Sequence, residues 1–238
     1  MKVDILAFAA HPDDVELACS GTVAKHVAMG KKVAIVDLTK GELGTRGTPE
    51  GRLQEAAESA KILGVVAREN LGMKDGFFAN DGEHQLKIVE MLRKYRPDIV
   101  LCNAVSDRHT DHGRGGDLVV SSCFISGLAK IETVNNGEKQ APWRPKTVLR
   151  YIQDFLYKPD VVVDITPYYE TKVASIKAFK TQFFDPESTE PQTPISVPHF
   201  LDSIEGRCLD MGRFIGVRYA EGFTVTKPLG VEDITSLY

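Results

Sequence analysis

Two runs of imidazoles and carboxylates carry the chemistry of this 238-residue chain. His11, Asp13, Asp14 and Glu16 form the first; His109, Asp111 and His112, preceded by Asp107, form the second. Ionised groups this dense at a core edge cost on the order of several kcal/mol unless paired or bound to a metal. Helix capping accounts for one of Asp13 and Asp14, but for neither the other acid nor His11. His11 and Asp14 stand three apart across an expected strand-to-helix turn, so both reach one ion, and His112 supplies a third donor. Two imidazoles and a carboxylate are the ligand set of a catalytic zinc site with one position open for water. One zinc per chain is expected, although spacing does not separate it from iron or manganese. Zinc lowers the pKa of its water to about 7, and Asp13, the acid left over, is the expected general base. His109 is expected to face the substrate carbonyl as oxyanion stabiliser or acid, with Asp111 orienting it. His26 and His84 fall on helices and read as surface residues.

The elements that place these groups alternate. Residues 3–9 read as a first strand, 15–29 as a helix closed by Gly30, and 32–38 as a second strand. A glycine-rich loop over 41–48 matches neither a phosphate-binding loop nor a dinucleotide fingerprint. Thr48, Pro49 and Glu50 start a helix running to Leu63. Arg52 sits in its first turn, where a cation opposes the helix dipole, and so points to a ligand. A strand over 67–71, a helix over 83–95 and a strand over 99–102 follow. Then come a helix over 116–128, a polar loop over 132–145 with Trp143, strands at 148–152 and 161–165, and a helix over 167–179. A loop over 185–198 holds Pro186, Pro191, Pro194 and Pro198. The last helix, 199–214, aligns Phe200, Ile204, Cys208 and Met211, and the ending 217–223 mixes polar and aromatic residues. Such alternation implies an α/β, Rossmann-like three-layer fold with a mostly parallel sheet, in one domain over 1–238. Both polar runs then lie at strand ends on one rim, where such sheets bind ligands.

A net charge of -4 argues against a nucleic-acid or anionic-membrane partner. No apolar run approaches the roughly 18 residues of a membrane span, and His11 interrupts the first apolar stretch, so no signal peptide is expected. Cys19, Cys102, Cys123 and Cys208 lie in apolar contexts without a CxxC pair, which suits reduced core residues in a cytoplasmic protein.

The run from Ala10 to Glu16, with His109-Thr110-Asp111-His112 downstream, resembles the LmbE/PIG-L family of zinc-dependent sugar N-deacetylases over nearly the whole chain. The loop 41–48, Arg52 and the ending Tyr219-Ala220-Glu221-Gly222-Phe223 resemble one branch in particular, the N-acetylglucosaminyl-malate deacetylases of bacillithiol biosynthesis. The resemblance implies zinc on His11, Asp14 and His112, Asp13 as base and His109 as electrophile or acid. It also implies Arg52 as a substrate-binding cation and homo-oligomers, often hexamers. Malate's carboxylates would suit Arg52 and Arg46. Relatives carry a Tyr near the start of the last helix; here the segment reads Pro198-His199-Phe200, so His199 is expected to take the donor role. The expected reaction is removal of acetyl from an N-acetylglucosamine conjugate. A metal phosphoesterase is the enzymatic rival and would need two metals about 3.5–4 Å apart. A metal- or small-molecule-binding protein is the other rival; Asp13, not needed as a ligand, speaks against it.

Overall fold

The computed structural model describes residues 1–183 and 185–236. Its centre is β1 (Ile5–Ala9), buried at every position because strands flank it and helices cover both faces. β2 (Val33–Thr39) and β4 (Ile99–Cys102) pair with it in parallel, Ile5 opposite Val33 on one side and Ile99 on the other. β3 (Ala67–Met73), β7 (Thr147–Tyr151), β8 (Val161–Asp164) and β9 (Ala220–Val225) complete a seven-stranded sheet in the order β3-β2-β1-β4-β7-β9-β8. The chain winds outward from β1 through β2 to β3 and then returns to β4. The crevice at such a switch of direction is where open α/β sheets bind ligands.

Side chains alternate along β1, so each face feeds its own core. Leu6 and Phe8 pack with Ile88 and Leu92 of α3 (Gly82–Tyr95) and with Leu118 of α4 (Thr110–Ile125). Ile5, Ala7 and Ala9 pack with Val15 and Val23 of α1 (Asp14–Ala28) and with Leu63 of α2 (Pro49–Leu63). α5 (Tyr169–Lys177) packs against α1 and α2, and α6 (Phe200–Ile215) covers β9 and β8 at the far end of the sheet. Among the described residues, no helix is long and apolar enough to cross a membrane.

Three elements depart from the sequence reading. β9, not expected as a strand, inserts between β7 and β8 and runs antiparallel to both. A two-stranded ribbon, β5 (Val134–Asn135) with β6 (Glu138–Lys139), occupies part of the expected polar loop. Asn136 and Gly137 turn it at φ 52° and 82°, conformations that Asn-Gly hairpins favour. Finally, α4 starts at Thr110 rather than near 116, which puts Asp111 and His112 on its first turn. The sequence hides this start because Gly113, Gly115 and Gly116 lower helix propensity. Close packing explains Gly116, where a Cβ would fall 2.6 Å from the Asn103 carbonyl oxygen.

Candidate active site

β1 ends at Ala9, and the chain turns sharply before α1. Asp13 makes the turn at φ 123° and ψ -22°, a conformation that costs roughly 1–3 kcal/mol for a residue with a side chain. This strain sits at the mouth of a cavity of about 260 Å³ whose walls include His11, Asp13, Asp14, His109 and His112. The second run arrives from β4 through the N-terminus of α4, so the two clusters meet as the rim argument expects. Ring centroids of His11 and His109 lie 4.6 Å apart, those of His109 and His112 5.2 Å, and those of His11 and His112 5.6 Å.

Each candidate ligand is held from behind. Asp107 Oδ2 lies 2.6 Å from His112 Nδ1, which leaves Nε2 pointing at Asp14 Oδ1, 3.0 Å away. Asp75 Oδ1 lies 3.1 Å from His11 Nε2, which leaves Nδ1 toward Asp14 Oδ2 at 3.7 Å. Asp14 Oδ2 also accepts from the His11 backbone amide at 3.0 Å and from Asn103 Nδ2 at 2.9 Å; Oδ1 accepts from Gln153 Nε2 at 3.2 Å. Carboxylate-oriented imidazoles flanking a fixed carboxylate are the arrangement that metal ligands show. The donor set therefore fits a divalent cation held by His11, Asp14 and His112.

His109 is close enough to be a competing donor, since ligating atoms of His11, His109 and His112 lie within 4.8 Å of one another. Its hydrogen bonding argues otherwise. His109 Nδ1 accepts the Asp111 backbone N–H at 3.3 Å, so a neutral ring carries its proton on Nε2 and presents a donor, not a lone pair. Asp111 corrects the sequence expectation. Its carboxylate does not orient His109: Oδ2 accepts from the Gly76 amide at 2.8 Å and lies 3.5 Å from His11 Nε2, while Oδ1 accepts from Arg114 at 2.6 Å. Asp75 and Asp111 thus share the back of His11. Asp75 Oδ2 is likewise taken by the Leu43 amide at 2.9 Å, so the pair supports His11 rather than a second ion.

Arg46 and Arg52 line the cavity, from the glycine-rich loop and the first turn of α2. Gly41 and Gly44 let the Arg52 guanidinium lie against the loop; a Cβ on Gly44 would come 3.2 Å from its Nη2. Arg52 is only 7% exposed, and its guanidinium has no hydrogen-bonding or ion-pair partner among the described residues. Arg46 donates to Ser188 Oγ at 2.8 Å, and its buried Nε, without a hydrogen bond, lies 3.6 Å from Glu190 Oε2. His199 is the second correction: it is exposed and lies outside the cavity wall. The residue of α6 that does line the cavity is Arg207, bonded to the Gln153 carbonyl oxygen. Asp75, Asn103, Gln153 and Arg207 were not legible as site residues, since each reaches the site through long-range contacts. Asp107 had a signal in its place beside the second run.

The charges are strongly coupled. Burial opposes a proton on His11, but Asp111, Asp75 and Asp14 outweigh it and raise its pKa to about 10. His112 follows the same pattern, with Asp14 and Asp107 overcoming burial to reach about 9. Asp14 stays well below the carboxylate range despite its burial, because His112 and His11 face it. Burial pushes Asp13 up to about 7, with Arg52 opposing and Asp14 reinforcing the rise. Burial and then the two neighbouring imidazoles lower His109 and keep it neutral. Acid and base candidates are thus pushed apart, as working sites require.

Comparison with known proteins gives the family. The family model for PIG-L, GlcNAc-PI de-N-acetylase, matches residues 6–123. Diacetylchitobiose deacetylase of Thermococcus kodakarensis is 30% identical over 92% of this chain and 81% of its own. A probable N-acetyl-alpha-D-glucosaminyl L-malate deacetylase of Bacillus subtilis is 25% identical over 76% of this chain and 84% of its own. The crystal structure of the conserved protein TT1542 from Thermus thermophilus superposes with a TM-score of 0.86 at 33% identity, covering 98% of each chain. The fold, the joined His/Asp clusters and these matches together make the chain an enzyme of the PIG-L family.

Proposed function

We propose that the chain removes the N-acetyl group from an N-acetylglucosamine conjugate with an acidic aglycone, N-acetylglucosaminyl-malate being the conjugate whose charges fit. The observation that carries this reading is Arg52, a largely buried guanidinium at the cavity wall whose charge acts on Asp13 but which makes no side-chain hydrogen bond or ion pair among the described residues. A cation held in that position without a hydrogen-bonding partner is suited to an anionic ligand, and Arg46, which already faces Glu190 and Ser188, lines the same cavity.

A divalent cation on His11, Asp14 and His112, one per chain and zinc by the chemistry of the donors, would supply Lewis acidity and an activated water. The chain's own groups divide the rest. No hydrogen bond ties down the Asp13 carboxylate, and its pKa of about 7 suits it to take a proton from the attacking water and return it to the leaving amine. His109 presents Nε2–H toward the cavity and stabilises the developing oxyanion. Asn103 and Gln153 lock Asp14, so that carboxylate remains a ligand and not a base. Arg52 holds the aglycone and orients the amide. A cytoplasmic, homo-oligomeric enzyme belongs to the same reading: the four cysteines are buried and unpaired, as in a reducing compartment, and light scattering gives the subunit number.

The test compares Arg52→Ala with the wild type on N-acetylglucosaminyl-malate and on neutral diacetylchitobiose, the substrate named for the Thermococcus relative. Loss of a charge-assisted contact is expected to raise KM for the acidic conjugate by about 10–100-fold and to leave the neutral sugar nearly unaffected. Equal losses, or a wild type that prefers the neutral sugar, reject the acidic aglycone.

A further inference from the structure

The first helix is broken in its middle. Cys19 has φ -143° and ψ 16° inside α1, so carbonyls before the break and amides after it lose their helical partners. The break is fully buried, where an unpaired backbone group costs about as much as a lost hydrogen bond. Two charged side chains from distant elements fill it. Lys172 of α5 donates from Nζ to the carbonyl oxygens of Glu16 and Leu17, both at 3.0 Å, and to Glu221 Oε1 at 2.8 Å. These contacts use all three ammonium protons. Glu221 of β9 accepts from the Gly21 amide at 3.0 Å through Oε1 and from the Thr22 amide at 2.6 Å through Oε2. Lys172 is 0% exposed and Glu221 3%.

The arrangement caps two helices end to end. Lys172 closes the carboxyl end of the segment before Cys19, and Glu221 caps the amino end of the segment after it, each with the charge that a helix end favours. Neighbours are shaped to admit the pair. A Cβ on Gly21 would meet Ile165 at 2.7 Å, and one on Gly222 would meet Met211 Sδ at 2.7 Å. This also gives the antiparallel strand β9 a purpose, because it delivers Glu221 to the break.

The short segment before the break carries Asp14 in its first turn and begins from the strained Asp13. We propose that Lys172 and Glu221 are positioning residues: by fixing the joint at Cys19 they set the direction of that segment, and so the placement of Asp13 and Asp14 against His11 and His112. This assignment rests on the deacetylase reading of the same site. The alternative role is stability alone, since a buried ion pair is retained in many folds without any functional purpose.

Glu221→Gln keeps the size of the side chain and removes its charge and one acceptor. The zinc-loaded variant is expected to fold, to bind zinc at least about tenfold more weakly in a chelator competition, and to lose kcat by about 10–100-fold with KM within about twofold. The double variant Lys172→Met/Glu221→Gln removes both charges and keeps the test open if the single variant folds poorly. It is expected to regain the part of the stability that an unpaired buried Lys172 ammonium costs, without recovering kcat or zinc affinity. Leu92→Ala, a core truncation in α3, serves as a control that loses stability but keeps kcat per bound zinc. Wild-type kcat and zinc affinity in folded Glu221→Gln or in the double variant overturn the proposal. An inactive wild type instead overturns the deacetylase reading, and the zinc competition then still decides whether the pair places Asp14.

Discussion

Replacing Asp13 by Asn separates the two adjacent acids and also makes an unusual stability prediction. Asp13 is 6% exposed and its ordinary carboxylate pKa of 3.8 rises to about 7, burial being the largest cause. A carboxyl whose folded pKa is raised contributes its full stability below pH of about 4, and that contribution is lost as pH climbs to about 7. At about 1.4 kcal/mol per tenfold change, the difference between 3.8 and about 7 sets a ceiling of about 4 kcal/mol on what the ionised group costs. Asn carries no such charge and tolerates positive φ better than most residues, so the turn survives. In chelator-treated protein, Asp13→Asn is therefore expected to melt several degrees higher than wild type at pH 8, with roughly 8–16 °C as the ceiling. The gain shrinks to near zero at pH 4. The same variant keeps near-stoichiometric zinc and loses at least about 10² in turnover, while Asp14→Ala loses most of its metal. Differential scanning calorimetry across pH, metal analysis and amine release measure all three. A metal-free Asp13→Asn beside a zinc-retaining Asp14→Ala would show the roles swapped. An Asp13→Asn that melts lower at every pH refutes the electrostatic argument.

His109→Ala is expected to retain zinc and lose about 10²–10³ in kcat; loss of the metal would place His109 among the ligands, against its hydrogen-bonded tautomer. Asp107→Asn removes the carboxylate from His112 Nδ1 and is expected to weaken zinc by about 10–100-fold, read by chelator competition, while an unchanged affinity would show that His112 needs no such support. Zinc added to the chelated protein at pH 7 is expected to release about two protons per ion, counted in a pH-stat; release of none would show that His11 and His112 are already neutral.

How much of this was legible depended on how local each signal is. The parallel core strands read correctly because buried runs such as Ile5–Ala9 and Ile99–Cys102 are apolar throughout and stop at turn residues. Thr48 and Gly64 marked the ends of α2, where the structure shows a side-chain cap and a left-handed close. β9 was missed because Glu221 is buried as the second residue of the strand, a placement that makes sense only once Lys172, 49 positions away, faces it. The start of α4 was hidden by glycines chosen for close packing. Within the site, His11, Asp13, Asp14, His109 and His112 declared themselves by density, and the structure brings them into one cavity. Asp111 was expected beside His109 because they are neighbours in sequence, and His199 because it stands where relatives carry a Tyr; the Asp111 carboxylate turns instead to Gly76, Arg114 and His11, and His199 is exposed outside the cavity wall. Asn103 and Gln153 lie 89 and 139 positions from Asp14, so no local pattern could have pointed to them.

The same clustering of charge fixes the state of the imidazoles in the empty pocket. His11 and His112 are each wedged between carboxylates, with Asp14 between the two rings and Asp75, Asp111 and Asp107 behind. Without a cation, that much negative charge in a buried pocket draws protons onto both imidazoles, which is why their pKa values rise to about 10 and about 9. A divalent ion held by His11, Asp14 and His112 would replace those two protons with the same two positive charges. Net charge in the pocket would then be nearly constant across loading. The empty pocket therefore keeps its ligands paired rather than mutually repelling, although removing a bound ion would still cost the fold that ion's binding free energy. It also binds metal more weakly as pH falls, since protons and zinc compete for the same nitrogens.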